Sequence, residues 1–268
     1  MESTPTRPLA VVTGASAGIG RELAARFAEG GFDLIVAAED ARISAVARSF
    51  AESGVEAVPV QADLALFDGV EELHRAIQAT GRTPQALAVN AGVGVSGDFA
   101  RDNELAAELR LLGLNITGAV HLTKLVLPGM IAAGHGGVLF TSSIAATAPG
   151  PYHATYAASK AFLLSFAEAL RYELQDTGVT VTALLPGPTD TEFFDRAGMQ
   201  GTKLREETAK DDPAQVARDG FDAQMAGQDK VIAGSAKNKA QAAAGRVLPE
   251  TAKARVQAQQ TKPGSGQS

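Results

Sequence analysis

The 268 residues predict an α/β protein: a doubly wound parallel sheet with helices on both faces, three layers α/β/α. Three observations carry that expectation. Short apolar runs alternate with stretches of helical periodicity along most of the chain. The first run, Leu9-Ala10-Val11-Val12, is continuously apolar, as a strand covered on both sides requires. A glycine-rich turn then separates this run from the first helical stretch, the place where a parallel sheet meets a phosphate-bearing ligand.

Taken in order, the first strand spans 9–13, bounded by Pro8. The turn Thr13-Gly14-Ala15-Ser16-Ala17-Gly18-Ile19-Gly20 follows, and then a helix opening with Arg21-Glu22-Leu23-Ala24-Ala25-Arg26-Phe27-Ala28. Further strands are expected near 33–38, 56–61, 86–90, 137–142 and 179–185, with helices between them and long ones around 103–133 and 153–176. Residues 8–250 form one domain by this reading. Residues 1–7 and the basic, apolar-poor stretch 251–268 read as flexible termini.

Composition narrows the function classes. The chain has no cysteine, which excludes disulfides and thiolate chemistry. It shows no 20-residue apolar run and no signal peptide, so no membrane partner is expected and the cytoplasm is the default address. The histidines at 74, 121, 135 and 153 are scattered, so no metal site is expected. A net charge of −6 argues against nucleic-acid binding. From Lys237 onward six basic residues face Glu250 alone, which reads as a solvated terminus or, less simply, a surface for a membrane or partner.

Two motifs carry chemistry. In the turn, glycines let the backbone approach a pyrophosphate while the helix N-terminus presents free N–H groups; the spacing GxxxGxG matches neither GxGxxG nor a Walker loop. More than a hundred residues later, Tyr156 and Lys160 stand at i and i+4, on one helix face. A free phenol has a pKa of about 10. A neighbouring cation favours the phenolate and would lower that value.

Together with Asp63, Asn90-Ala91-Gly92, Asn115 in LNITG, Ser143 in TSSIAA, and Pro186-Gly187 followed by Thr191, these motifs resemble the short-chain dehydrogenase/reductase family over about residues 8–235. The resemblance implies a Rossmann-type sheet and a hydride-transferring oxidoreductase acting on a ketone/secondary alcohol pair. It implies that Tyr156 is the general acid/base and that Ser143, rather than Ser142, orients the carbonyl oxygen. Lys160 would lower the Tyr156 pKa and bond the nicotinamide ribose, and Asn115 would hold a proton-relay water. It places the dinucleotide against Gly14, Ser16, Ala17, Gly18, Ile19 and Gly20, against Asp63 and Leu64, against Asn90, Ala91 and Gly92, and against Pro186, Gly187, Thr189 and Thr191. Asp63 has an alternative use as a cap for the next helix. Homodimers or homotetramers follow from the same resemblance, with Leu109, Leu112, Phe162, Phe166 and Leu170 suited to either core or interface.

At the end of the second strand, Glu39 would accept bonds from the adenosine ribose and repel a 2′-phosphate, which favours NAD over NADP; Arg42 or Arg21 folding back onto a phosphate is the route to NADP. The segment 188–212 corresponds to a substrate lid, where Phe193 and Phe194 read equally as cover or as core anchors. Ala145 and Val93-Gly94-Val95 suggest a small apolar floor and a neutral, moderately hydrophobic substrate. His153 reads as lining the mouth or as a surface histidine. The competing function is a dinucleotide-binding sensor without turnover; the intact Tyr156 and Lys160 weigh against it. Epimerisation or dehydration on the same fold would call for a different glycine spacing and a larger C-terminal domain.

Overall fold

The computed structural model describes residues 7–206, 209–235 and 249–267. Residues 1–6 of the expected flexible N-terminus lie outside them. Arg7 does not fit that expectation: it donates to the Gly54 carbonyl at 2.9 Å, and its own carbonyl accepts from Arg82.

Among the described residues, seven parallel strands form one sheet in the order β3-β2-β1-β4-β5-β6-β7. They are β1 (Leu9–Thr13), β2 (Asp33–Ala38), β3 (Ala57–Gln61), β4 (Ala86–Val89), β5 (Gly136–Thr141), β6 (Val179–Leu185) and β7 (Lys230–Ile232). The first six fall where the apolar runs predict. β3 holds Pro59 and is only half-buried, as an edge strand allows. β7 was missed in the sequence because its three residues offer only Val231 and Ile232 as apolar signal.

Alternation along the strands divides the core in two. Val11, Ile35, Leu87, Val138, Phe140 and Val181 face one layer with α3 (Phe67–Ala79), α5 (Ala119–Ala133) and α6 (Ala154–Glu173). Ala10, Val12, Leu34, Val36, Ala88 and Leu139 face the other, with α1 (Gly18–Glu29), α2 (Arg42–Glu52) and α9 (Pro213–Met225). Both faces of the central strands are covered, so β1, β2 and β4 are almost wholly apolar, while β6 carries Thr180 and Thr182 on one face, each bonded to a backbone carbonyl.

The long helix expected over 103–133 runs as one helical span, Leu105–Ala133, in which α4 (Leu105–Leu112) passes through a π-type turn (Gly113–Gly118) into α5. Leu105–Ala133 is long and apolar enough to cross a membrane by composition, yet Leu122, Val126 and Met130 are buried against the sheet. The lid segment contains two short helices, α7 (Phe193–Arg196) and α8 (Lys203–Glu206).

The C-terminal expectation is corrected. Glu250–Thr261 forms a helix, α10, whose last residue Thr261 is fully buried and donates to the Pro151 carbonyl at 2.8 Å. Poverty in apolar residues suggested a loose tail, but here the anchors are hydrogen bonds that composition does not register.

Candidate active site

The chain leaves β1 toward β2 and β3, then returns to start β4 on the other side of β1. At such a switch point the strand ends diverge and a crevice opens. Backbone pairing of β1 with β4 stops at Val12 and Ala88. Beyond it the Thr13 hydroxyl takes over, donating to the Ala88 carbonyl at 3.2 Å and accepting from the Asn90 and Ala91 N–H groups at 2.9 and 3.0 Å. Asn90 completes the stitch: its amide donates to the Thr13 carbonyl and accepts from Thr141.

Above this crevice lies a cleft of about 530 Å³. Every dinucleotide-site residue expected from the sequence lines it: Gly14 to Gly20 apart from Ala15, Glu39, Asp63, Leu64, Asn90 to Gly92, Pro186, Gly187, Thr189 and Thr191. The glycine turn packs backbone to backbone against the end of β4 and against itself. A Cβ on Gly14 would sit 2.9 Å from the Ala91 backbone, and one on Gly20 only 2.1 Å from the Gly14 carbonyl. Ala17, at the N-cap of α1, offers no side-chain cap, so the helix N–H groups are free for an anion.

At the adenosine end the carboxylates are already engaged. Ser16 donates to Asp40 at 2.6 Å, and Arg42 bonds Asp40 at 2.9 Å. Partial burial raises the Asp40 pKa, but Arg42 and Ser16 outweigh it and hold the group below its usual range. Arg110 on α4 bridges Glu39 and Asp63, the latter at 2.8 Å. Burial of Asp63 is likewise outweighed, by Arg110 and by the Ala65 N–H. That N–H bond closes the turn before α3, so Asp63 caps a turn rather than the helix itself. Sequence reading missed Arg110, which stands outside every motif.

The other end gathers the reactive groups. Tyr156 and Lys160 project from the first turns of α6, with the ammonium 5.7 Å from the phenol ring centre. Ser143, two residues past β5, caps the short turn Ile144–Thr147 in extended backbone, accepts from the Ala145 N–H at 3.1 Å, and its hydroxyl reaches the Tyr156 phenol. Ser142 is committed elsewhere, donating to the Lys160 carbonyl at 2.7 Å. Lys160 is buried and donates to the Thr141 carbonyl at 2.8 Å; burial pulls its pKa down to about 8.

The expected depression of the phenol is not found. Burial pushes Tyr156 up to about 12, offset only in part by Ser143. Part of the Tyr156 surface still opens on the cleft, but protein surrounds it closely enough for desolvation to win.

Asn115 alone of the expected tetrad does not line the cleft. It is fully buried in the π-type turn, where its amide donates to the Val93 carbonyl and Ser159 and accepts from the Val93 N–H at 2.9 Å. A Cβ built on Gly92 would lie 3.2 Å from both Asn115 Oδ1 and Lys160 Nζ, which places the two groups behind one backbone.

The substrate side separates residues that the sequence left together. Phe194 is buried with Ala197 and Met199 in a small core of the lid, whereas the Phe193 ring lies 5.1 Å from the Tyr156 ring. Ala145 lines the cleft. His153 also lines it and is no surface residue: it is 4% exposed, and neither ring nitrogen has a partner. Burial lowers its pKa to about 4. The preceding Tyr152 holds a left-handed backbone at φ 63°, and its carbonyl accepts from Gly97. Among the described residues no cluster of His, Cys, Asp and Glu could hold a metal.

A doubly wound parallel sheet with a glycine turn at its switch point and a Ser-Tyr-Lys cluster along the same cleft defines a dinucleotide-fold oxidoreductase. The family model described as short chain dehydrogenase matches residues 8–200, and the chain belongs to that family. Sulfoacetaldehyde reductase 2 of Chromohalobacter salexigens is 34% identical over 190 residues, covering 69% of this chain and 74% of that protein. A short-chain dehydrogenase from Sphingobium yanoikuyae, solved with NADPH, superposes with TM-score 0.78 at 31% identity, covering 84% of this chain and 87% of that one. The 3-ketoacyl-(acyl-carrier-protein) reductase of Brucella melitensis, solved with NADH, gives 0.75 at 25% identity, covering 85% and 98%.

Proposed function

We propose that this protein transfers a hydride between a nicotinamide dinucleotide and a neutral ketone/secondary alcohol pair. The observation that carries the reading is the single cleft joining a bare helix N-terminus at one end to Ser143, Tyr156 and Lys160 at the other.

The glycine turn would hold the pyrophosphate at the uncapped N-terminus of α1, its glycines allowing the tight packing of the turn against Asn90 and Ala91. When bound, the nicotinamide supplies or accepts the hydride. The Ser143 hydroxyl orients the carbonyl oxygen. Tyr156, kept protonated by burial, gives its proton to that oxygen in reduction and takes one back in oxidation. Lys160, cationic below about pH 8, stabilises the phenolate left after transfer. Asn115, behind the same Gly92 backbone as Lys160, would hold the water through which the proton is returned.

Glu39 and Asp40, with Arg110 and Arg42 already spent on carboxylates, favour NAD over NADP. Fluorescence titration should give tighter binding of NADH than of NADPH, and the reverse would reassign Arg42 to a 2′-phosphate. Tyr156→Phe should lose about 10²–10⁴ in turnover while binding dinucleotide as before. Turnover unchanged in that variant would favour the sensor reading and sink the mechanism.

A further inference from the structure

The family model ends at residue 200, yet the cleft does not. Helix α10 supplies two of its lining residues, Gln257 and Gln260, which stand three apart and therefore on one face. Both are half-buried. Among the described residues neither side-chain amide has a hydrogen-bond partner, in a protein whose other cleft-lining polar groups are mostly paired.

The helix is not casually placed. Thr261 fixes its end to the Pro151 carbonyl, five residues before Tyr156. Past the helix, the Ser265 hydroxyl accepts from the Lys203 N–H at 3.0 Å and Gly266 donates to the Gly201 carbonyl at 2.9 Å. Those bonds tie α10 to the loop before the catalytic helix on one side and to the lid on the other. Gln257 and Gln260 thus line the cleft from a helix held beside the Pro151 loop and the lid.

We propose that Gln257 and Gln260 form a substrate subsite for hydroxyl groups remote from the reacting carbonyl, so that the substrate is a hydroxylated ketone or its alcohol. Each amide carries donors and an acceptor, which a hydroxyl answers in both directions. An oxyanion would use the donors alone. A plain alkyl chain would shut both amides away from water with nothing in return. The subsite rests on the dehydrogenase reading above and deepens it.

A matched pair of probes tests the subsite: 2-hexanone and 6-hydroxy-2-hexanone, with wild type and the isosteric double variant Gln257→Met/Gln260→Met. Wild type should favour the hydroxyketone by about tenfold in kcat/KM, and the double variant should lose about that factor for it alone. Retained turnover of 2-hexanone serves as the internal check that α10 still docks. Calorimetric titration of both ketones onto protein saturated with the oxidised dinucleotide reads the same preference without turnover. No preference in wild type, or an equal fall for both ketones in the variant, overturns the subsite. A panel of carbonyls that bind but are never reduced would instead overturn the dehydrogenase reading, and the calorimetric preference would still decide the role of the two amides.

Discussion

The Arg42 guanidinium and the Glu192 carboxylate, 150 residues apart in the chain, grip each other through two bonds of 2.9 and 3.2 Å. Arg42 sits just past β2 and Glu192 opens the lid, so the pair straps one side of the cleft to the other. Its bonds to Glu192 and then Asp40 raise the Arg42 pKa, with burial opposing slightly.

Both side chains are about half exposed, so the strap adds little to folding, about 0–1 kcal/mol. Its effect should fall on kinetics. Arg42→Ala and Glu192→Gln are each expected to speed NADH release about three- to tenfold with almost no change in melting temperature. Stopped-flow release rates equal to wild type in both would show that the strap does not retain the dinucleotide.

Lys160 sets a pH limit. Its pKa is held at about 8 and that of Tyr156 at about 12, so the first proton lost on raising pH is the lysine's. The rate of reduction should therefore fall along one limb centred near 8, before any phenolate forms. The sign on stability is opposite. Below pH 8 both folded and unfolded chains carry the charged lysine and burial costs in full, and that cost fades as pH rises from 8 toward 10.5. A rate profile flat to pH 10 would remove Lys160 from the mechanism.

His153 makes the opposite edge. The folded chain keeps it neutral to about pH 4, while the unfolded chain protonates near 6.5. Stability is thus lost as pH falls through that window, on the order of 3 kcal/mol in all. His153→Leu should flatten the dependence, as urea unfolding at pH 7 and pH 4.5 would read. An unchanged slope would place the acid sensitivity elsewhere.

Leu105, Leu109 and Phe162 are exposed at 69, 57 and 39%, on α4 and α6. We expect these helices to pair two copies of the chain, since such a stretch is costly to leave in water. Sedimentation at micromolar concentration should give a dimer or larger, and Leu109→Lys/Phe162→Lys should shift it toward monomer. A monomeric wild type would refute the pairing.

Legibility in the sequence followed the range of each interaction. β1, β2 and β4 were readable because burial on both faces leaves an almost unbroken apolar run, and the glycine turn because only small residues allow its close approaches. β7 is too short to leave a period. The π-type turn at Gly113–Gly118 was not readable, because the contacts of Asn115 to Val93 and Ser159 and the close approach of Gly118 to Leu64 are all long-range. Arg110 and α10 were invisible for a related reason: their partners, Glu39, Asp63 and Pro151, lie 47 to 110 residues away. The phenol was misjudged because spacing records that a cation is near, while how much water has been removed appears only in three dimensions.

Thr13 has a further consequence. Where β1 and β4 would otherwise go on bonding main chain to main chain, one side-chain oxygen stands in for a carbonyl and takes two N–H groups at once. The hydroxyl acts as a spacer that keeps the seam from closing to its end. The floor of the cleft is therefore held from inside the sheet, by the Thr13 hydroxyl together with the Asn90 amide, rather than by the loops around it.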